Sequence, residues 1–200
     1  MSSPRYIAFE GPEGCGKSTH AKRLAARLDA VITREPGGTR IGAMLREVLA
    51  NPDNTDMHAR TEALLMAADR AQHVEEVVMP TLMSGRHVVS DRSVYSTLAY
   101  QGYGRGLSLD SLRDVNDWAL GGRLPDLVVY MQVPSDVLAQ RLAKRDLDRF
   151  EREGADFFER VNAGFDALMA ADPTRWITID GTLPKDDVEA FIWERVLPYL

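Results

Sequence analysis

The segment Gly11-Pro12-Glu13-Gly14-Cys15-Gly16-Lys17-Ser18 constrains this 200-residue chain more than any other, because it matches G-x-x-x-x-G-K-[ST] at every fixed position. An apolar run, Tyr6-Ile7-Ala8-Phe9, precedes it. A helical pattern follows, Lys17 to Leu28, with Ala21, Leu24, Ala25 and Leu28 on one face. Strand, glycine-rich loop and helix in that order form a phosphate cradle. Small residues let the backbone wrap closely round an oxyanion. Successive N–H groups then point inward, and the helix N-terminus adds partial positive charge. Lys17 supplies a full charge to the β- and γ-phosphates, and Ser18 a hydroxyl to Mg²⁺. The loop predicts a nucleoside triphosphate held by Gly11, Glu13, Gly14, Cys15, Gly16, Lys17, Ser18 and Thr19. It does not say what becomes of the phosphate.

The rest of the chain alternates strand-like and helix-like patterns, which predicts an α/β fold with a parallel sheet. Val31-Ile32-Thr33 is a short second strand, closed by the breaker Pro36-Gly37-Gly38. A long helix is expected from about Ala59 to Met83, with Leu64, Leu65, Ala68, Val74, Val77 and Val78 as its apolar positions. Pro80 should kink or restart it. Further strands are expected at His87–Ser90, Leu127–Val133 and Trp176–Ile179. Helices should run from Ser135, itself the expected N-cap, and from Lys185 to Leu197. Five parallel strands with helices on both faces suit a doubly wound sheet in one domain spanning residues 1–200. Such sheets bind ligands at the carboxyl ends of their strands.

Composition excludes several function classes. A net charge of −6 argues against a nucleic-acid binder, which needs a basic face. No apolar run reaches the roughly 18 residues of a membrane span. Met1 to Arg5 carries no apolar signal core, so the cytoplasm is the expected location. The one cysteine, Cys15, allows neither an internal disulfide nor a cysteine-rich metal site. Between two glycines it reads as a small residue filling a tight turn.

Two further segments narrow the chemistry. Thr33-Arg34-Glu35-Pro36-Gly37-Gly38-Thr39 follows the second strand, and Asp91-Arg92-Ser93-Val94-Tyr95-Ser96-Thr97-Leu98-Ala99-Tyr100-Gln101-Gly102 follows the third. Both leave strand ends expected near the phosphate loop, and both set an arginine beside a carboxylate. An Asp-Arg pair alone is as compatible with a structural ion pair. The two strings together closely resemble the bacterial thymidylate kinase family, and the resemblance covers nearly the whole chain from Tyr6.

The resemblance implies an ATP- and Mg²⁺-dependent kinase acting on dTMP. Arg92 and Arg46 match family arginines on the acceptor phosphate, where a fork of N–H donors suits a dianion. Ser18 and Asp91 are the expected Mg²⁺ contacts, Asp91 through water. Glu13 and Glu35 match acidic positions near the acceptor sugar and phosphate. Arg70 matches the donor to thymine O4, and Thr97 faces the pyrimidine edge. Tyr100 matches the ring that crowds C2′ and disfavours ribonucleotides. Ser96 and Gln101 complete the acceptor contacts. Met66 stands where the family usually has phenylalanine stacked on thymine; a thioether still packs on a flat ring.

Arg141, Arg145 and Arg149 are spaced i, i+4, i+8, which on a continuous helix puts three guanidiniums on one face, with Lys144 and Arg152 nearby. The segment from about 141 to 153 resembles the family's lid. That resemblance makes Arg145 and Arg149 catalytic alongside Lys17 and Arg92, and places Arg141 on ATP. The alternative is a solvated face paired with Asp146, Asp148, Glu151 and Glu153. The resemblance also implies a homodimer. A kinase for another nucleoside monophosphate or a deoxynucleoside, and a regulatory P-loop NTPase, are the competing functions.

Overall fold

The computed structural model describes residues 3–143 and 147–200. Five strands form one sheet: β1 (Tyr6–Glu10), β2 (Val31–Arg34), β3 (Val88–Asp91), β4 (Leu127–Gln132) and β5 (Trp176–Asp180). Their spatial order is β2-β3-β1-β4-β5, and every neighbouring pair is parallel. The expected sheet is therefore present, with strand ends shifted by a residue or so.

Alternation along the strands sends side chains to two separate cores. Ile7, Phe9, Val89, Val129, Met131 and Ile177 pack on α1 (Lys17–Leu28), α7 (Ser135–Leu142) and α9 (Lys185–Val196). Val128, Tyr130 and Trp176 face the other way, onto α3 (Ala59–His73), α5 (Val94–Thr97), α6 (Leu109–Leu120) and α8 (Ala155–Ala171). In that second core Phe165 is fully buried against Tyr100, Tyr130 and Trp176. Burying such a ring contributes about 1.5–3 kcal/mol, and here it seats Tyr100 against the sheet.

Four helices among the described residues go beyond the expected pattern: α2 (Arg40–Ala50), α5, α6 and α8. The spacing of Phe157, Val161, Phe165 and Leu168, all buried, is a helix signature present in the sequence of α8. The long helix divides into α3, a π-helical stretch at Val74–Val78 and α4 (Met79–Met83). Pro80 has no N–H to return to the preceding turn, and the ladder widens just ahead of it. The apolar face expected on α3 is partly wrong. Leu64 and Ala68 are exposed, whereas Glu62, Asp69, Arg70 and His73 are buried, because this helix turns a polar face toward the site. Ser135 is not an N-cap: Pro134 holds that place in extended conformation and Ser135 is the first helical residue. No helix among the described residues is long and apolar enough to cross a membrane.

Candidate active site

The strand register brings the separate motifs together. Phe9 of β1 lies beside Asp91 of β3, and Arg34 of β2 lies on the other side of Asp91. All three strands therefore end on one edge, where doubly wound sheets bind their ligands. A cleft enclosing roughly 860 Å³, its open mouth included, is lined there by Glu13, Lys17, Ser18, Glu35, Arg46, Met66, Arg70, Asp91, Arg92, Ser96, Thr97, Tyr100 and Gln101. Leu49, Asp148 and Phe150 also line it.

The phosphate loop leaves β1 at Gly11, whose φ of 140° places a would-be Cβ only 2.8 Å from the Met131 carbonyl oxygen. A side chain there would push the loop off β4. Cys15 is buried and burial raises its thiol pKa, so it fills space as expected of an inert residue. Lys17 is buried; its Nζ donates to the Pro12 carbonyl (3.1 Å) and to Glu13 Oε2 (3.3 Å). Gly14 and Gly16 take positive φ, and the Thr19 amide donates to the Gly16 carbonyl at 3.1 Å, closing the first turn of α1. The Ser18 hydroxyl donates to Asp91 Oδ2, and the other oxygen, Oδ1, is buried without a partner among the described residues. A hydroxyl against a half-satisfied carboxylate is a donor set that fits Mg²⁺.

Arg92 stands across from the loop. Its backbone is left-handed, with φ 75°, a conformation that costs a non-glycine residue about 1–2 kcal/mol. The turn is held by the Arg92 amide donating to the Phe9 carbonyl (2.8 Å) and the Ser90 hydroxyl donating to the Arg92 carbonyl (2.7 Å). The guanidinium donates to Ser96 Oγ (2.7 Å), Glu13 Oε1 (2.5 Å) and the Tyr100 hydroxyl (3.2 Å). Glu13 thus bridges Lys17 and Arg92. Burial alone would raise its carboxyl pKa, but the two cations outweigh burial and hold it well below the usual carboxylate range.

Glu10, at the end of β1, is fully buried and organises this turn from below. Its Oε1 accepts from the Ser93 amide (2.8 Å), the Ser93 hydroxyl (2.8 Å) and the Ser96 amide (3.2 Å). Its Oε2 accepts from the Ser96 hydroxyl at 2.6 Å. Burial raises its pKa despite Arg92 nearby.

The far wall is a second buried charge network. Arg70, 2% exposed, donates from Nε to Glu35 Oε2 (2.9 Å), from Nη2 to Thr97 Oγ1 (3.1 Å) and the Ser93 carbonyl (3.3 Å), and from Nη1 to Asn116 Oδ1. Glu35 also meets His73 Nδ1 at 2.8 Å, and His73 Nε2 shares a hydrogen bond with Thr33 Oγ1 at 2.7 Å. Burial would raise the Glu35 pKa; Arg70 and His73 more than reverse that, and it lies below the ordinary value. Arg46 donates to the Pro36 carbonyl (3.0 Å). Beneath this turn, buried Asp69 accepts from the Gly37 amide at 2.9 Å, and burial pushes its pKa up to about 6.

The arginine segment departs from expectation. The helix α7 ends at Leu142, so no continuous face carries Arg141 and Arg149. Arg141 docks on the phosphate loop, donating to the Gly14 carbonyl (3.1 Å) and the Gly181 carbonyl (3.0 Å). Arg149 does not line the cleft. It is buried and donates to Glu62 Oε2 (2.6 Å) and the Leu49 carbonyl (2.8 Å), because a fully buried carboxylate outcompetes solvent for it. Arg145, with Lys144, falls outside the described residues.

The site can thus hold two anionic groups facing each other, with a hydroxyl–carboxylate pair between them. A family model described as thymidylate kinase matches residues 9–192. A thymidylate kinase of Desulforudis audaxviator is 46% identical over 197 residues, covering 96% of this chain and 89% of its own. One from Neisseria meningitidis is 44% identical over 200 residues, with 97% and 96% covered. One from Bacillus pumilus is 40% identical over 203 residues, with 98% and 94% covered.

The chain belongs to the thymidylate kinase family.

Within this thymidylate kinase fold, sequence reading missed Glu10, Asn116, Asp148 and Phe150. Glu10 is legible in one respect: a carboxylate ending an apolar strand must find donors when buried. Asn116 had no such signal. It lies 46 residues from Arg70, in a helix whose other buried positions are apolar or small. Phe150 sits in a turn, edge-on to Tyr100 with ring centroids 6.4 Å apart, in a segment whose charge pattern drew attention away from its one aromatic residue.

Proposed function

We propose that this chain transfers the γ-phosphoryl group of ATP to dTMP, giving ADP and dTDP. The observation that carries the reading is Glu13 between Lys17 (3.3 Å) and Arg92 (2.5 Å): one cation belongs to the triphosphate loop and the other to the opposite wall, within reach of a single carboxylate. Two phosphates brought to those cations would lie close to each other.

The loop amides and Lys17 hold the β- and γ-phosphates. Arg92, backed by Ser96 and Glu10, holds the acceptor phosphate. Ser18 and Asp91 would hold Mg²⁺, which would supply positive charge to offset that of the phosphates. The acceptor monoester has a second pKa near 6 and is mostly dianionic at pH 7, so no strong general base is required. What the residues supply is charge stabilisation and alignment of two anions. Arg70 and Thr97 present donors for a pyrimidine edge, Met66 an apolar wall, and Tyr100 a ring against the sugar.

The test is a coupled assay with ATP and dTMP, dUMP, dCMP, dGMP or thymidine. dTMP should be the preferred acceptor, and thymidine should be poor because Arg46 and Arg92 would lack a phosphate. ATP turnover indifferent to any acceptor would instead favour a regulatory NTPase.

A homodimer is supported by apolar side chains left exposed on neighbouring helices: Ile41, Met44 and Val48 on α2, and Leu64 on α3. Sedimentation at micromolar concentration should give twice the 22.3 kDa chain mass. A free, buried Cys15 suits a reducing compartment such as the cytoplasm.

A further inference from the structure

We infer that Glu62, a residue outside the cleft, is a positioning residue that sets the polarity of Gln101 in the acceptor site and ties it to the segment carrying Asp148 and Phe150. Glu62 is in the first turn of α3 and is fully buried. Its Oε1 accepts from Gln101 Nε2 (2.7 Å) and Arg105 Nε (3.2 Å). Its Oε2 accepts from Arg105 Nη2 (3.1 Å) and Arg149 Nη1 (2.6 Å). An ionised carboxylate only accepts. It therefore forces Gln101 to present its NH₂, and turns the carbonyl oxygen Oε1 away. That oxygen is buried and has no partner among the described residues, and Gln101 lines the cleft. The arrangement leaves a fixed hydrogen-bond acceptor for an N–H or O–H of the bound nucleotide.

The same carboxylate anchors the other wall. Arg149 is held by Glu62 and by the Leu49 carbonyl, and its own amide donates to the Ala50 carbonyl at 3.1 Å. Its neighbours Asp148 and Phe150 consequently face the cleft. Arg105 links Glu62 to Glu153 (2.5 Å) beyond them. The buried Arg149 and the half-buried Arg105 are thus balanced by Glu62 and Glu153, and a neutral side chain at 62 would leave Arg149 without its anionic partner. Arg149 acts here through Phe150 and Asp148, not on the phosphates.

This inference rests on the cleft being the nucleotide-acceptor site. Wild-type turnover of dTMP tests that reading, whereas amide exchange in the unliganded protein tests Glu62 with no substrate present. In Glu62→Gln the amide at 62 can donate or accept, so Gln101 is free to flip. The dTMP KM should rise about tenfold, the loss of one good hydrogen bond, with the ATP KM within about twofold. Amides of 148–153 should exchange about tenfold faster. Gln101→Met should raise the dTMP KM without changing that exchange, and the double variant should lose less than the product of the two single effects. If Glu62→Gln does not fold, Arg149→Met carries the test: faster exchange at 148–153 and a raised dTMP KM with kcat retained. Unchanged exchange and KM in Glu62→Gln, an equal rise in both KM values, or an Arg149→Met that loses kcat alone would each overturn the proposal.

Discussion

Replacing Arg70 by methionine should separate stability from acceptor recognition. The side chain is 2% exposed, and its guanidinium reaches Glu35, Asn116, Thr97 and the Ser93 carbonyl. Methionine keeps most of the stem but strands Glu35, itself 3% exposed, with His73 as its remaining partner. Breaking a buried pair by removing one member costs about 3–5 kcal/mol. At about 2–4 °C per kcal/mol for a chain of this size, Tm should fall by about 6–20 °C. Adding Glu35→Gln removes the stranded charge, so the double variant should recover more than half of that loss. It should not recover dTMP binding, since the donor proposed for the base is gone; the dTMP KM should stay about 10–100-fold raised, the size of a charged hydrogen bond. Calorimetry and steady-state kinetics on the three variants make the comparison. A Tm change below about 2 °C for Arg70→Met, or no recovery in the double variant, would refute the view that Arg70 and Glu35 depend on each other.

Lys17→Ala should lower kcat by at least about 10²–10³-fold while dTMP binding remains measurable by titration calorimetry; near-normal turnover would remove Lys17 from the transfer. Arg92→Ala should weaken dTMP binding about 100-fold and ATP binding far less, and equal losses would mean that the acceptor phosphate lies elsewhere. Arg92→Gly should share that binding defect yet relieve the left-handed strain at φ 75°, a gain of about 1 kcal/mol offset by the lost ion pairs, so its Tm should exceed that of Arg92→Ala. Asp69 has a folded pKa raised to about 6, so its carboxyl binds a proton more tightly folded than unfolded, and stability falls as pH rises through the window from about 4 to 6. Asp69→Asn abolishes that slope, and its stability relative to wild type should improve by about 1.4 kcal/mol from pH 5 to pH 8. An unchanged difference across that range would show that Asp69 titrates normally.

Much of the site was legible because its chemistry is carried by short contiguous strings. Gly11 to Ser18 requires consecutive residues, since a nest of amides is made by one stretch of backbone. Asp91 and Arg92 are neighbours because the strand end that sets one against Ser18 sets the other across from the phosphate loop. The continuous face expected for the arginine segment is absent for a related reason. A regular i, i+4, i+8 spacing means one face only where the helix continues, and α7 stops at Leu142. Nothing local told Arg149 that Glu62, 87 residues earlier, would hold it.

The amino-acid sequence by itself determined the parallel α/β layering, through alternating apolar strands and helical repeats. It also determined the glycine-rich loop from Gly11 to Ser18 and the arginines of the opposite wall, because propensity, glycine conformation and charge type act over a few residues. Only the tertiary structure decided which buried charges meet. Glu10 beneath Ser93 and Ser96, Asn116 on Arg70, and Glu62 joining Gln101 to Arg149 are pairings across tens of residues. A buried polar group must be satisfied by whatever the packed layers bring within about 3 Å, and that partner is chosen by the fold as a whole.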